Sequence, residues 1–396
     1  MNTIKFALLG TAAIAAVSVS AQASTASDVA ALKAQVEALS VQVAANQAQT
    51  LVPAGFQLMT IGTQTATVVP GFSNKGYGTT ATVISIMPTA DAPAATTVEF
   101  AGYVKAALVY DSVRSGTSTY ANLMAKTGFS ITGKTDTAVG EVGVKLAFQA
   151  NWTSKYNNFN NQRNVQTDGA WGWWKMTPEL TLAAGYAGSL AGIGYGYDGA
   201  CTCNFTDNAS ASYKNINGGD AVQMRLTYAS GPMSAAVAIE DYRNSGTQSS
   251  FGFAGEVKYT GDMISGEISG GYWDAASFAG PQASYVIGVG AKVALGDIGN
   301  VSASAGMGSG SGTTDDFWKA NILASLSLSE QAHAEIGFNH LETPQAIAGN
   351  QNAVLAGLYY DPVKQLTIGV EGEWISLPNA VNLDSMRADL VTIFRF

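Results

Sequence analysis

The chain has 396 residues and a formal net charge of -9; 47% of it is hydrophobic and only 12% charged, with 44 glycines, two cysteines and two histidines. These figures exclude a disordered chain, which lacks apolar residues, a charge-driven nucleic-acid binder, which needs a basic excess, and a disulfide miniprotein or Cys/His zinc site, which needs more cysteines and histidines. No apolar run of about 20 residues occurs, so a helical membrane protein is excluded as well.

Lys5, the small and apolar run Phe6 to Val19, and Ala21-Gln22-Ala23 have the order of a secretory signal peptide over residues 1–23, which places the mature chain in an oxidising compartment. A helix is expected within 24–50. Ser27 or Asp28 can cap it, and Val29, Leu32, Val36, Leu39 and Val43 step by three and four. That seam predicts a short oligomerising coiled coil; little more than two heptads set no multiplicity. Residues 51–96 alternate Thr/Val/Ile stretches with Pro and Gly, and three readings stay open: a small β segment, a plug or a linker. Their Ala/Pro/Thr-rich end, Pro88 to Thr97, reads as a tether.

From 97 to 396 the period changes to two. Val98, Phe100, Val104, Leu108 and Tyr110 alternate with Glu99, Tyr103, Lys105 and Asp111; Val222, Met224, Leu226 and Tyr228 alternate with Gln223 and Arg225. About sixteen such segments begin near 98, 122, 139, 165, 180, 220, 233, 251, 263, 284, 298, 317, 331, 352, 365 and 384. Tight turns such as Lys134-Thr135-Asp136, Thr177-Pro178-Glu179, Ser230-Gly231-Pro232 and Asp361-Pro362 join alternate pairs, and longer loops join the others. The expected fold is all-β: a 16-stranded antiparallel transmembrane barrel over 97–396, preceded by the short coiled-coil helix. A soluble sandwich would also alternate faces. Against it stand strand-end aromatics suited to interfacial girdles (Tyr110, Trp171, Trp173, Tyr228, Tyr259, Tyr285, Tyr359, Trp374) and the closing pair Phe394 and Phe396.

Residues 101–111 (AGYVKAALVYD), 124–136 (MAKTGFSITGKTD), 236–243 (AVAIEDYR) and 393–396 (IFRF) make the chain resemble the general porins of Gram-negative outer membranes, alphaproteobacterial ones most closely. The resemblance implies sixteen strands, a homotrimer, and a third outer loop folded inward. That loop would be 189–219, the longest connection in the barrel, which carries Asp198 and Asp207. The N-terminal helix looks like the periplasmic coiled coil that some porins carry.

No catalytic constellation is found. His333 and His340 have opposite parity on one strand, and Gly192-Ile193-Gly194-Tyr195-Gly196 lacks the Lys and helix of a phosphate loop. No metal site or cofactor is expected. Cys201-Thr202-Cys203 is a close-spaced disulfide, a pair of free thiols or a metal-binding pair, the last with no His nearby to help. Because a closed barrel sets its last strand beside its first, Lys105, Lys126, Lys145 and Arg387 are candidates for one pore-lining basic patch. The competing reading is that they are scattered charges paired with Glu99, Glu141 and Asp389. The expected function is passive diffusion of ions and small hydrophilic solutes through an outer-membrane channel, with mild cation preference. The expected partners are outer-membrane lipid and two further copies, with no nucleic acid. The alternatives are a substrate-specific channel and a structural or adhesive protein anchored by its barrel.

Overall fold

A computed structural model describes residues 59–67, 80–86, 96–113, 119–153, 165–194, 220–241, 251–273, 284–309, 316–342, 351–376 and 384–396. The expected signal peptide, the helix within 24–50, Asp198, Asp207, Cys201 and Cys203 all lie outside the described residues.

Two short strands come first, β1 (Met59–Thr65) and β2 (Thr80–Ile86). Sixteen more follow. They are β3 (Thr96–Val113), β4 (Thr119–Thr137), β5 (Gly140–Thr153), β6 (Gln166–Lys175), β7 (Leu180–Gly188), β8 (Asp220–Ser230), β9 (Met233–Asp241) and β10 (Phe251–Thr260), then β11 (Ile264–Trp273), β12 (Ser284–Ala294), β13 (Gly299–Ser309), β14 (Asp316–Ser329), β15 (Ala332–Glu342), β16 (Gln351–Val363), β17 (Leu366–Ser376) and β18 (Ser385–Arg395). Each pairs antiparallel with the next, and β18 returns to β3 in the register Ser385↔Val113 to Arg395↔Tyr103, which closes a sixteen-stranded barrel. The observed strand starts fall within three residues of those read from the two-residue period. Two turns sit elsewhere than expected. β4 continues through Lys134-Thr135-Asp136 to Thr137, and β16 runs over Asp361-Pro362 through a bulge to Val363. In both cases ladder pairing extends past residues whose composition resembles a turn.

Following partner to partner around the ring returns to β3 displaced by about 20 residues, the stagger of strands tilted by about 40°. The short turns gather at one rim with the C-terminus, and the long connections leave from the other. The two faces of the wall have opposite chemistry. Outward lie Val104, Leu108, Val144, Leu146, Met224, Leu226, Ile239, Phe253, Ile268, Ile287, Val370 and Leu390, all exposed. Inward and shielded lie Glu99, Lys105, Lys145, Arg225, Glu240, Glu267, Lys319, Glu335, Glu371, Glu373, Arg387 and Asp389. An apolar outside around a charged inside is the reverse of a water-soluble protein and suits a barrel wrapped in lipid. Phe100 and Tyr110 share the outer face of β3; at about 3.3 Å per residue and that tilt they stand about 25 Å apart along the barrel axis, the height of an apolar membrane band.

The expected girdles need one correction. Tyr110, Tyr228, Tyr259 and Trp374 do face outward, but Trp171, Trp173 and Tyr359 are 2%, 8% and 1% exposed and point inside. Trp171 stands opposite Lys145, so strand parity puts both in the lumen. Position near a strand end had favoured the girdle, and parity decides against it.

The edge of β3 is shared. Phe396 exchanges backbone hydrogen bonds with Gly102 (3.1 and 3.2 Å), and beyond it β2 takes over from Phe100 to Thr96. Gly102 lets the ring lie close: a Cβ there would stand 2.2 Å from the Phe396 ring, which would have to move. Phe100, Phe129 and Phe396 stack in a row with centroids 6.3 Å apart, which seats the C-terminal ring on the outer wall.

Candidate functional site

The lumen is built by every second residue of sixteen strands, so its chemistry is set by parity and its geography by register. Of the four basic residues expected to form a patch, two meet. Lys105 and Lys126 are direct cross-strand partners on β3 and β4. Lys145 stands opposite Thr132, six residues along β4 from Lys126, or about 20 Å. Arg387 stands opposite the backbone position of Asp111, six residues along β3 from Lys105 in the other direction. The patch is therefore a pair of lysines with one outlier towards each rim. Arg387 is held by Asp389 at 3.1 Å and faces Glu373 across the β17–β18 ladder. Of the charges weighed as partners, Asp389 holds Arg387, and Glu99 couples electrostatically to Lys145 besides pairing with Lys134 at 3.8 Å; Glu141 accepts the Trp173 indole N–H at 3.0 Å.

One acid in this region breaks the period. On β5 and β6 the register slips between Ala147↔Gly169 and Phe148↔Thr167, leaving Asp168 as the extra residue of a bulge. It couples electrostatically to both Lys126 and Lys145 and bridges the gap between them. Strict alternation hides it, and only the pairing register locates it.

On the far wall the inner face is covered by protein. After β7 the chain does not continue upward; residues 189–194 run over the inner face of β9 and β11. Glu240, fully buried, accepts from the Ser189 hydroxyl at 2.7 Å and the Leu190 amide at 2.9 Å. Glu267 accepts from the Gly194 amide. Ser269 donates to the Ala191 carbonyl at 3.1 Å. Leu190 and Ala191 pack with Trp273, Ala236, Ala238, Ala254 and Val286, and Ile193 joins them. Below, Gln223 donates to the Ala187 and Gly188 carbonyls (3.0 and 2.9 Å). Arg225 donates to Gly188 at 2.8 Å, with its guanidinium 5.3 Å from the centre of the Trp171 ring. The backbone groups that a loop must satisfy on leaving a sheet are thus met by side chains of β8, β9 and β11. Arg225, Glu240 and Glu267 have lumen parity in the sequence; their role as anchors is visible only when the loop is seen lying on them.

The remaining inner wall carries Glu371 at 3.2 Å from the Tyr359 hydroxyl, His333 stacked on Tyr359 (4.8 Å) and 3.0 Å from Asp361, and a Lys258 that reaches Glu256 and Glu267. His333 faces inward and His340 outward, 2.8 Å from Asn352, so the two imidazoles serve no common site. Among the described residues no group of three or more His, Cys, Asp or Glu is placed to hold a metal ion.

No family model matches the chain, and no curated protein matches it. Solved structures do match. The outer membrane channel DcaP of Acinetobacter baumannii superposes with a TM-score of 0.59 at 13% identity, over 78% of this chain and 99% of that one. Pseudomonas putida OprB gives 0.56 at 11% identity over 76% and 94%, and Salmonella typhi OmpF, in a complex with daunomycin, gives 0.56 at 13% over 75% and 98%. This chain therefore has the sixteen-stranded fold of Gram-negative outer-membrane porins.

Proposed function

We propose that this protein is an outer-membrane porin of a Gram-negative bacterium, a water-filled channel through which ions and small hydrophilic solutes diffuse passively. One observation carries the reading: a closed ring that is apolar outside and charged inside, with the start of its longest loop laid on the inner wall rather than turned away from it. A barrel serving only as an anchor has no need of charged groups on so many inward positions. The fold shared with a named outer membrane channel supports the reading. In it the short-turn rim faces the periplasm, loop 189–219 narrows the pore with Asp198 and Asp207 on it, and the Lys105–Lys126 pair lies on the opposite wall. The chain is exported by residues 1–23, and the helix within 24–50 ties a homotrimer together below the membrane.

The test is planar-bilayer recording of the purified full chain. Ohmic current that does not saturate with solute, and closes in three steps, is the expected result. A folded protein that carries no current would sink the channel, saturation by one solute class would replace it with a specific channel, and single-step closure would remove the trimer.

A further inference from the structure

The hairpin β1–β2 has no place in a sixteen-stranded ring, yet its arms are tied into the wall. On the edge of β3, Tyr103 to Val113 are occupied by β18 and Gly102 by Phe396; β2 begins its own pairing at Thr82↔Phe100. Two chains cannot use one edge, so the hairpin leaves the sheet at Ala81, either outward toward lipid or inward. The side chains decide. Ala81 is 1% exposed and packs with Ala101 and Tyr103, both on the inward face, and Ala66, just past β1, joins them. Thr67 donates its amide to the inward carboxylate of Glu99 at 2.9 Å, and its hydroxyl to the same group. Lys134 closes the arrangement, 3.3 Å from the Thr67 hydroxyl and 3.8 Å from Glu99. The Thr65–Thr80 end of the hairpin therefore enters the barrel at the short-turn rim and lies against the inner faces of β3 and β4, with Lys145 of β5 beside it.

We infer that this hairpin is a second constriction of the pore, at the mouth opposite the one that loop 189–219 enters, and that Thr67, Glu99 and Lys134 form the latch holding it. It rests on the channel reading above. Its physical effect is twofold. It takes up cross-section where the wall alone would leave water, and it removes the Glu99 carboxylate from contact with passing ions by filling its acceptor positions. The two constrictions lie on different walls, the loop start on β9 and β11 and the hairpin on β3 and β4.

Single-channel recording of the full chain tests this, with heat-shifted gel mobility confirming a folded barrel in each variant. Gln64, the cross-strand partner of Ala81 in the half of the hairpin nearest Thr67, is exposed and open to reagent. Gln64→Cys, treated with a bulky charged thiol reagent, should lose about a third or more of its conductance relative to the identically treated parent, which carries the native cysteines. An unchanged conductance there puts the hairpin outside the current path and overturns the constriction. Thr67→Val with Glu99→Ala should raise conductance or its fluctuation by at least about 1.3-fold. No change in either overturns the latch. A parent with no current fails at the earlier step, before any variant is compared, and so counts against the channel and not against the hairpin.

Discussion

Two pieces of chain lie inside this barrel, and they are held in different ways. The start of the loop after β7 rests on the β9–β11 wall through two shielded carboxylates, Glu240 and Glu267, that accept backbone amides, and through an apolar cluster centred on Trp273. The N-terminal hairpin rests on the β3–β4 wall through one carboxylate, Glu99, a partly exposed Lys134, and a cluster of two alanines and Ala101 around Tyr103. The loop anchor buries a large aromatic and gives the Ser189 hydroxyl and the Leu190 and Gly194 amides carboxylate acceptors, so moving it leaves a cavity and unpaired amides. The hairpin anchor buries little apolar volume, and its ion pair opens to solvent, where such pairs contribute little. Its firmer hold is the ladder of Thr82–Ile86 to β3. The comparison teaches that the loop start is fixed framework, while the inner end of the hairpin is the more easily displaced of the two.

The largest effect is expected at the centre of the loop anchor. Trp273→Ala removes the ring that packs on Leu190 and Ala191 and lies so close over Gly252 that a Cβ there would meet it at 1.9 Å. The loss should be about 3–5 kcal/mol, seen as a lower temperature for the gel mobility shift; an unchanged temperature would mean the cluster does not hold the loop. Next comes Glu240→Ala, which strands the Ser189 hydroxyl and the Leu190 amide. It should cost about 1–3 kcal/mol and make the folded barrel sensitive to protease within 189–219. Cleavage no faster than in the parent would show that the carboxylate is not the anchor.

A third experiment compares the walls by charge. Reversing Lys105 and Lys126 to Glu changes the one basic pair that register brings together, across the lumen from the acidic loop anchor. The cation-to-anion permeability ratio from reversal potentials should rise about twofold or more, because charge acts strongly where the pore is narrow and water scarce. The double reversal leaving that ratio unmoved would show that the wall at this level is wide enough for salt to screen it. The smallest effect belongs to the hairpin. Thr67→Val removes one hydroxyl donor but leaves the amide bond to Glu99, and should lower stability by only about 0.5–1.5 kcal/mol. A loss as large as that of Trp273→Ala would reverse the ranking of the two anchors.

Much of this was legible in one dimension. A strand that lies between lipid and water must alternate every two residues, and that alternation can be counted without knowing any partner; Lys105, Arg225, Glu240 and Arg387 could all be assigned to the lumen in this way. The contrast of short turns and long loops is equally local, and with the parity it sufficed for the number and direction of the barrel strands. What alternation cannot carry is depth. Whether Lys145 stands beside Lys105 or about 20 Å along the strand from it depends on how neighbours are registered, and each register is a sum over turns and bulges elsewhere in the ring. Asp168 is the sharpest case: a single extra residue turned inward, indistinguishable from its neighbours until Ala147 and Phe148 are seen to skip it.

Sequence by itself determined the class of fold, the faces of the wall, and the terminal aromatic that closes it, because each follows from the medium that a given side chain meets. Only the tertiary structure decided that residues 189–194 lie on Glu240 and Glu267, and that β2 takes the stretch of the β3 edge below Phe396. Those outcomes turn on which chain reaches a given edge or carboxylate first, among candidates tens or hundreds of residues apart. Competition for a shared partner is settled by closure of the ring as a whole, and no local pattern records it.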